Sequence, residues 1–259
     1  MPAVIYEKQG HIAIVTMNRR DALNAMDDEM MDQLSDAWMD IRDDRNIWAA
    51  IITGAGKTAF SVGGDLKTFL PRIIDADFRD LQSNTKPLNA VLRDFDLWKP
   101  VVAAINGYCF GGGLEMLLGT DIRVASERAV FAVMEPTWAL FPGGGTTVRL
   151  PRQIPYARAM EMLLTANQVT AQEALEIGLV NKVVPPEELM PTAMSYAEKL
   201  CSNGPLAVQA IKESVLRGLA LDAAYSIERL FSIQIFDTED AKEGPKAFME
   251  NRKAVWKGK

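Results

Sequence analysis

Histidine is almost missing from this chain: of 259 residues, His11 alone is one. A serine hydrolase working through an imidazole base would have to use it, yet it opens a strand-like segment away from every glycine-rich turn, where a surface or hairpin role suits it better. Cysteine is nearly as scarce. Cys109 and Cys201 lie far apart in no metal-ligand spacing, which argues against a disulfide framework or a zinc site, and both are expected to be buried thiols. Basic charge is in deficit, with 28 Lys and Arg against 34 Asp and Glu for a net −6, so no overall basic field favours nucleic acid or an anionic membrane. No run approaches the roughly 18 apolar residues of a membrane span. Met1 to Thr16 alternates apolar and polar residues, without the basic start and apolar block of a signal peptide. A cytoplasmic protein is the expectation.

Two nucleotide motifs are also lacking. Gly54-Ala-Gly-Lys57-Thr58 looks like the end of a phosphate loop, but Ile51 stands where that motif needs its first glycine. Counted from Gly54, Gly111 or Gly143, the last glycine of a dinucleotide fingerprint is replaced by Ala59, Met116 or Val148. A nicotinamide or flavin site of that kind is therefore not expected.

What is present is ordinary for one large domain with a substantial core: 48% hydrophobic and 24% charged residues. His11 to Met17 reads as a strand with both faces partly buried. Asp27 and Asp28 supply helix-start chemistry, and Met30, Leu34, Trp38 and Ile41 recur along one helical stripe. The apolar runs Trp48 to Thr53 and Val101 to Ile105 predict buried strands feeding glycine turns, and Asp121 to Ala125 predicts another. Thr170 and Glu173 form a capping box, Gly178 suits the end of that helix, and Leu179 to Val184 predicts one more strand. From Pro186 onward only helices are expected, with Leu189, Ala193, Tyr196, Ala197 and Leu200 on one face and Val208, Ile211 and Val215 on another.

Two segments are hard to explain as scaffold alone. In Phe60-Ser-Val-Gly63-Gly64-Asp65-Leu66 and in Gly107-Tyr-Cys-Phe-Gly111-Gly112-Gly113-Leu-Glu115, glycines meet an expected helix start. Without a Cβ, backbone N–H groups there can approach a developing negative charge, and two such amides can form an oxyanion hole. Glu115 follows the second segment, and Glu135 lies farther on among Val133, Met134, Pro136 and Trp138, an apolar setting that raises a carboxyl pKa. Two differently tuned carboxyls can divide acid and base work.

These stretches resemble the crotonase, or enoyl-CoA hydratase, superfamily. The matching segments are Asn18 to Ala25, Ala59 to Lys67, Lys99 to Glu115, Phe131 to Leu150 and Glu243 to Lys253, so the likeness spans nearly the whole chain. The resemblance implies an α/β spiral of strand-strand-helix units over residues 1–199 and a helical C-terminal region, 200–259, that packs trimers, often paired as hexamers, and closes the site. It places oxyanion amides at Gly64 and Gly112 and catalytic carboxyls at Glu115 and Glu135. It also places a glycine near the reactive water at Gly143, and a coenzyme A site around Ala22, Leu23, Gly63, Asp65, Leu66, Phe248, Arg252 and Lys253. No metal or redox cofactor is implied; coenzyme A enters with the substrate. Members that only shift a double bond commonly lack one glutamate, so the pair favours hydration or dehydration.

The chain departs from the family pattern at four places. Met134 stands where proline is frequent, Pro136 follows Glu135, Ala139 replaces a frequent glycine, and Asn251 replaces a coenzyme-binding lysine of some hydratases. The ending through Gly258 resembles carnitinyl-CoA dehydratases. An isomerase with Glu135 as sole base and a non-enzymatic RNA- or partner-binding protein are the competing readings.

Overall fold

The strongly apolar runs form strands because both of their faces are covered. A computed structural model describes residues 1–68, 86–219 and 221–256. Strands β1 (Val4–Gln9) and β2 (Ile12–Met17) make an antiparallel hairpin, from which β2, β3 (Ala49–Gly54), β5 (Val101–Ile105), β7 (Ile122–Ser126) and β10 (Lys182–Val184) continue as parallel neighbours. Every residue of β3 and β5 is buried. Ala50, Ile52, Val101, Ala103 and Ile105 face the main core, whereas Ala49, Ile51, Val102 and Ala104 face a second cluster on the other side of the sheet. That two-sided burial is what a near-continuous Val/Ile/Ala run signals in a parallel sheet.

A smaller sheet, ordered β4 (Ala59–Ser61), β6 (Tyr108–Phe110), β8 (Val130–Ala132) and β9 (Val169–Thr170), lies after the large one in each repeat. Each strand β3, β5 and β7 of the large sheet is followed by a strand of the small one. The repeats therefore deliver their second strands, and the turns after them, to one place. Helix α1 (Asp28–Asp43) starts at Asp27, whose carboxylate accepts from the Met30 N–H at 2.9 Å, and buries Met30, Leu34, Trp38 and Ile41. After the short α2 (Lys86–Ala90) and α3 (Gly112–Leu117) come α4 (Thr146–Gln153), α5 (Tyr156–Thr165) and α6 (Ala171–Glu176), the last opened by the expected capping box at Thr170.

Helix α7 (Leu189–Cys201) lays Leu189, Ala193 and Ala197 on the outer cluster, with Tyr196 and Leu200 packed at its margin. The chain ends in α8 (Pro205–Gly218), α9 (Leu221–Phe236) and α10 (Glu239–Met249). The fold is thus mixed α/β with strand-strand-helix units and C-terminal helices, as expected.

Two expectations need correction, and one helix face needs comment. The strand predicted over Leu179 to Val184 is only Lys182–Val184; Leu179 and Val180 are buried, but they lie in the turn that follows Gly178, which has φ +77. Burial made that segment apolar without placing all of it in a sheet. Cys201 is half-buried, unlike Cys109, because it ends α7 beside the His11 carbonyl. Helix α8 buries none of its residues: Ile211 is 66% and Val215 59% exposed. Periodicity identified an apolar face there, but it carried no information on what would cover it.

Candidate active site

Glycine lets two backbone loops meet where a side chain could not fit. Gly63 has φ +93, and a Cβ on it would stand 2.7 Å from the Gly112 nitrogen. Met26 pairs with this loop by donating its N–H to the Gly63 carbonyl (2.8 Å) and accepting from the Asp65 N–H (2.9 Å). In such a parallel bridge the N–H of the intervening residue, Gly64, points away from the partner strand. Gly112 opens α3, so its N–H is one of the helix's unpaired first donors. Neither amide has an acceptor among the described residues. They form a two-donor hollow with the positive end of α3 at its back.

Both glutamates border this hollow. Glu115 lies one turn into α3, buried, and its Oε1 accepts from the Gly144 N–H at 2.6 Å. Glu135 follows β8 and starts a 3-10 turn, Glu135–Trp138, in which Pro136 takes an early position that needs no N–H. Its Oε1 would be 3.3 Å from a Cβ on Gly111, and its Oε2 is buried with no protein partner. Met134 and Pro136 therefore leave Glu135 beside the glycine turn. Ala139 ends the 3-10 turn in the left-handed region at φ 53; an alanine tolerates this at a cost of about 1 kcal/mol relative to glycine.

The electrostatics follow from this burial. Desolvation, then the Glu135 and Glu228 charges, push the Glu115 carboxyl above the usual carboxylate range, against the Gly144 N–H and the Arg93 guanidinium. Desolvation also raises Glu135, opposed by backbone hydrogen bonding from Glu135 itself and Met134. Two carboxyls that each resist ionisation beside the other hold one proton between them more readily than none. Such a pair can accept a proton at one carboxyl and release one from the other.

The remaining sequence-predicted residues are distributed around this centre. Ala22 and Leu23 sit in a turn where Leu23 and Asn24 are both left-handed, φ 52 and 55. Asn24 holds the turn by accepting from the Arg19 N–H and donating to the Ala55 and Ala59 carbonyls. Arg19 ties it to the first glycine loop through Asp65, at 2.9 Å, and also pairs with Asp27 at 3.0 Å. Burial works to raise the Asp65 carboxyl, but Arg19 and the Lys67 N–H outweigh it and hold it low. Asp65 is thus a tie between loops, and half-buried Leu66 follows it. The N–H reaching Glu115 belongs to Gly144; the carbonyl of Gly143 instead accepts from Arg93.

At the C-terminus α10 leans on the Glu135 turn. A Cβ on Gly244 would collide with the Trp138 carbonyl, and Phe248 meets the Trp138 ring edge-on at 4.5 Å. Asn251 stands at φ 51, donating to the Phe248 carbonyl while Arg252 donates to Ala247. This is the hydrogen-bond pattern of a left-handed helix stop, which asparagine tolerates. Arg252 is occupied by Glu243 and Glu250, whereas Lys253 is exposed. Lys257 and Gly258 lie outside the described residues.

His11 is exposed and stacks on Trp48 at 3.5 Å, as its surface reading expects, and Lys57 is exposed in its turn. Among the described residues no cluster of three His, Cys, Asp or Glu side chains could hold a metal, and no helix is long and apolar enough to cross a membrane. Sequence reasoning missed Arg93, Gly144, Trp138 and Glu228. Trp138 was visible only as apolar context, and an arginine set among the apolar residues of Ala90 to Leu97 was the one other signal.

Two glycine loops and a carboxyl pair on strand-strand-helix units are the arrangement that the crotonase resemblance implied. The sequence profile of the enoyl-CoA hydratase/isomerase family matches residues 7–259. The chain is 43% identical over 253 residues to the enoyl-CoA hydratase EchA19 of Mycobacterium tuberculosis, covering 97% of this chain and 95% of that one. It is 42% identical to (E)-benzylidenesuccinyl-CoA hydratase of Thauera aromatica, covering 100% of both. The crystal structure of a carnitinyl-CoA hydratase from Mycobacterium avium superposes with a TM-score of 0.90 at 34% identity, over 100% of both chains. The chain belongs to the enoyl-CoA hydratase/isomerase family. It is an enzyme of the enoyl-CoA hydratase type.

Proposed function

We propose that this enzyme reversibly hydrates a 2-enoyl-CoA thioester to the 3-hydroxyacyl-CoA. The observation carrying the reading is the pair of buried Glu115 and half-buried Glu135, whose Oε2 is itself buried, beside the acceptor-free amides of Gly64 and Gly112. The thioester carbonyl sits between those amides, which stabilise the enolate-like oxygen as charge develops. Ionised Glu115 takes a proton from water as its oxygen bonds to the β carbon, and protonated Glu135 gives its proton to the α carbon. Dehydration runs the same steps backwards. A proton passed from Glu115 back to Glu135 restores the pair. Amides polarise the carbonyl and carboxyls move the protons, so the chemistry calls for no metal or redox group.

Coenzyme A is assigned to the turn at Ala22 and Leu23, the loop Gly63 to Leu66, and the C-terminal Phe248 with Lys253. Because Arg252 is already paired with two glutamates, Lys253 is the better cation for a phosphate. The division at residue 199 and a cytoplasmic location belong to the same reading.

Incubating the enzyme with a panel of 2-enoyl-CoA thioesters and following mass tests it. Gain of one water, with a 3-hydroxyacyl product, is expected; a relocated double bond with no gain would replace hydration by one-base isomerisation at Glu135. The unpartnered Glu135 Oε2 is what keeps that second reading in view. Salt-sensitive RNA retention with no turnover of any thioester would revive the binding-protein reading.

A homotrimer or dimer of trimers is part of the proposal, supported by the uncovered Ile211 and Val215 of α8 and by Leu230 and Phe231 of α9, about half exposed at 54% and 49%. Light scattering at micromolar concentration should give three or six copies. A fully active monomer would remove the oligomer from the mechanism.

A further inference from the structure

Arg93 and Glu228 form an ion pair, Nη2 to Oε2 at 3.3 Å, with side chains only 3% and 1% exposed. Arg93 lies just beyond α2 and Glu228 projects from α9, so the pair joins the core to the C-terminal helices. As a stabilising device it is poor. Arg93 Nε and Glu228 Oε2 are buried without hydrogen-bond partners, and an incompletely satisfied buried pair is at best comparable with apolar packing.

What the pair does hold is one peptide unit. Arg93 Nη1 donates to the Gly143 carbonyl, and the N–H of the next residue, Gly144, donates to Glu115 Oε1 at 2.6 Å. That C=O and that N–H belong to the same planar amide and point in opposite directions. Flanked by glycines, the amide could otherwise rotate freely; Arg93 on one edge and Glu115 on the other stop it. The surroundings hold Arg93 in turn. Its Nη2 donates to the Tyr225 carbonyl at 3.3 Å, its guanidinium lies 5.1 Å from the Tyr225 ring centre, and Asp94 Oδ2 is 3.9 Å from its Nε. Glu228 accepts from the Thr147 hydroxyl, and Ser232 Oγ donates to the Glu228 carbonyl at 3.0 Å.

We propose that Arg93, anchored by Glu228, is a positioning residue for hydration: it locks the Gly143–Gly144 peptide with its N–H on Glu115 and so aims the carboxylate that activates water. The inference rests on the hydratase reading and refines it. The charged groups around Glu115 are Glu135, Glu228 and Arg93, with Arg149 donating to the Glu115 carbonyl at 3.4 Å. Arg93 favours the ionised Glu115 and Glu228 disfavours it. Removing either therefore moves the acid limb of the kcat profile, where Glu115 must be ionised, in opposite directions.

The experiment compares Arg93→Gln, Arg93→Lys, Glu228→Gln and Glu115→Gln with the parent, measuring kcat, KM and pH profiles on a short 2-enoyl-CoA, with thermal denaturation alongside. Arg93→Gln should lower kcat by roughly 10–10² through misplacement of the carboxylate, leave KM nearly unchanged and move the acid limb to higher pH. Glu228→Gln should also lower kcat but move that limb to lower pH, and Arg93→Lys should restore the limb and part of kcat. Full kcat and an unmoved limb in folded Arg93→Gln, with Glu115→Gln inactive, would overturn the positioning role alone. The same result in Glu228→Gln would do so if Arg93→Gln did not fold. A fully active Glu115→Gln would instead bring down the paired-carboxylate mechanism and this inference with it, while hydration itself would stand.

Discussion

Glu115→Gln and Glu135→Gln should each lower hydration by about 10²–10⁴ while leaving the fold and coenzyme affinity nearly intact. Glutamine keeps the size of the side chain, and its carbonyl oxygen can still accept the Gly144 N–H that now meets Glu115, but it cannot take or deliver the proton. The losses should not multiply. If both carboxyls handle one water, the double variant loses much less than the product of the single losses. Loss of conjugated thioester absorbance measures turnover, with circular dichroism confirming the fold. A folded Glu115→Gln variant hydrating at the parent rate would leave only the one-base mechanism.

The same substitutions carry a stability signature. Burial raises both carboxyls in the folded chain, so between the unfolded and folded pKa values the folded state binds more protons than the unfolded one. Stability then falls as pH rises through that window. Glu135→Gln removes the cost of ionisation, so it should melt above the parent on the alkaline side of neutrality, the gap closing as pH falls to the ordinary carboxylate range. An unchanged gap from acid to alkaline pH would mean Glu135 is not raised.

Gly112→Pro should abolish measurable turnover. Proline is tolerated at the first position of a helix, where Gly112 stands, but it deletes the N–H, and loss of one oxyanion donor costs about 10²–10³ in rate. Further loss comes from Gly111, whose φ of 50 is disturbed by a following proline. Gly112→Ala separates the two effects. It keeps the donor and asks only the flexible end of Met26, 2.7 Å from the new Cβ, to move, so most activity should survive. Lys57→Ala, in the exposed turn that only resembles a phosphate loop, should be silent. Were Lys57→Ala the damaging change and Gly112→Pro harmless, the amide hollow would have no part in catalysis.

Much of this was legible because it is local. Asp27 before a 3.6-residue stripe, Thr170 with Glu173, and the two-sided apolar runs of β3 and β5 depend on neighbours a few positions away. The glycine segments and the two glutamates were legible for a related reason: a bare backbone at a strand-to-helix turn and a carboxyl in an apolar setting are unusual as scaffold. Where tertiary contacts decided, sequence periodicity said less. The stripe of Val208, Ile211 and Val215 marks one face of α8 without saying what covers it, and the apolar Leu179 and Val180 are buried in a turn rather than a strand.

The sequence alone determined the main buried strands of the large sheet, the long first helix, the helical C-terminal part, the family, and which two carboxyls and two glycine turns stand out, since these follow from residue type and spacing along the chain; the short strands of the small sheet came only with the structure. Only the tertiary structure decided that Glu135 abuts Gly111, that Gly244 admits the Trp138 carbonyl, and that an arginine after α2 and a glutamate on α9 share one buried site. It also decided that Gly144 gives its N–H to Glu115. These contacts join segments distant along the chain, and the direction of a peptide bonded on both edges is set by what it meets in space.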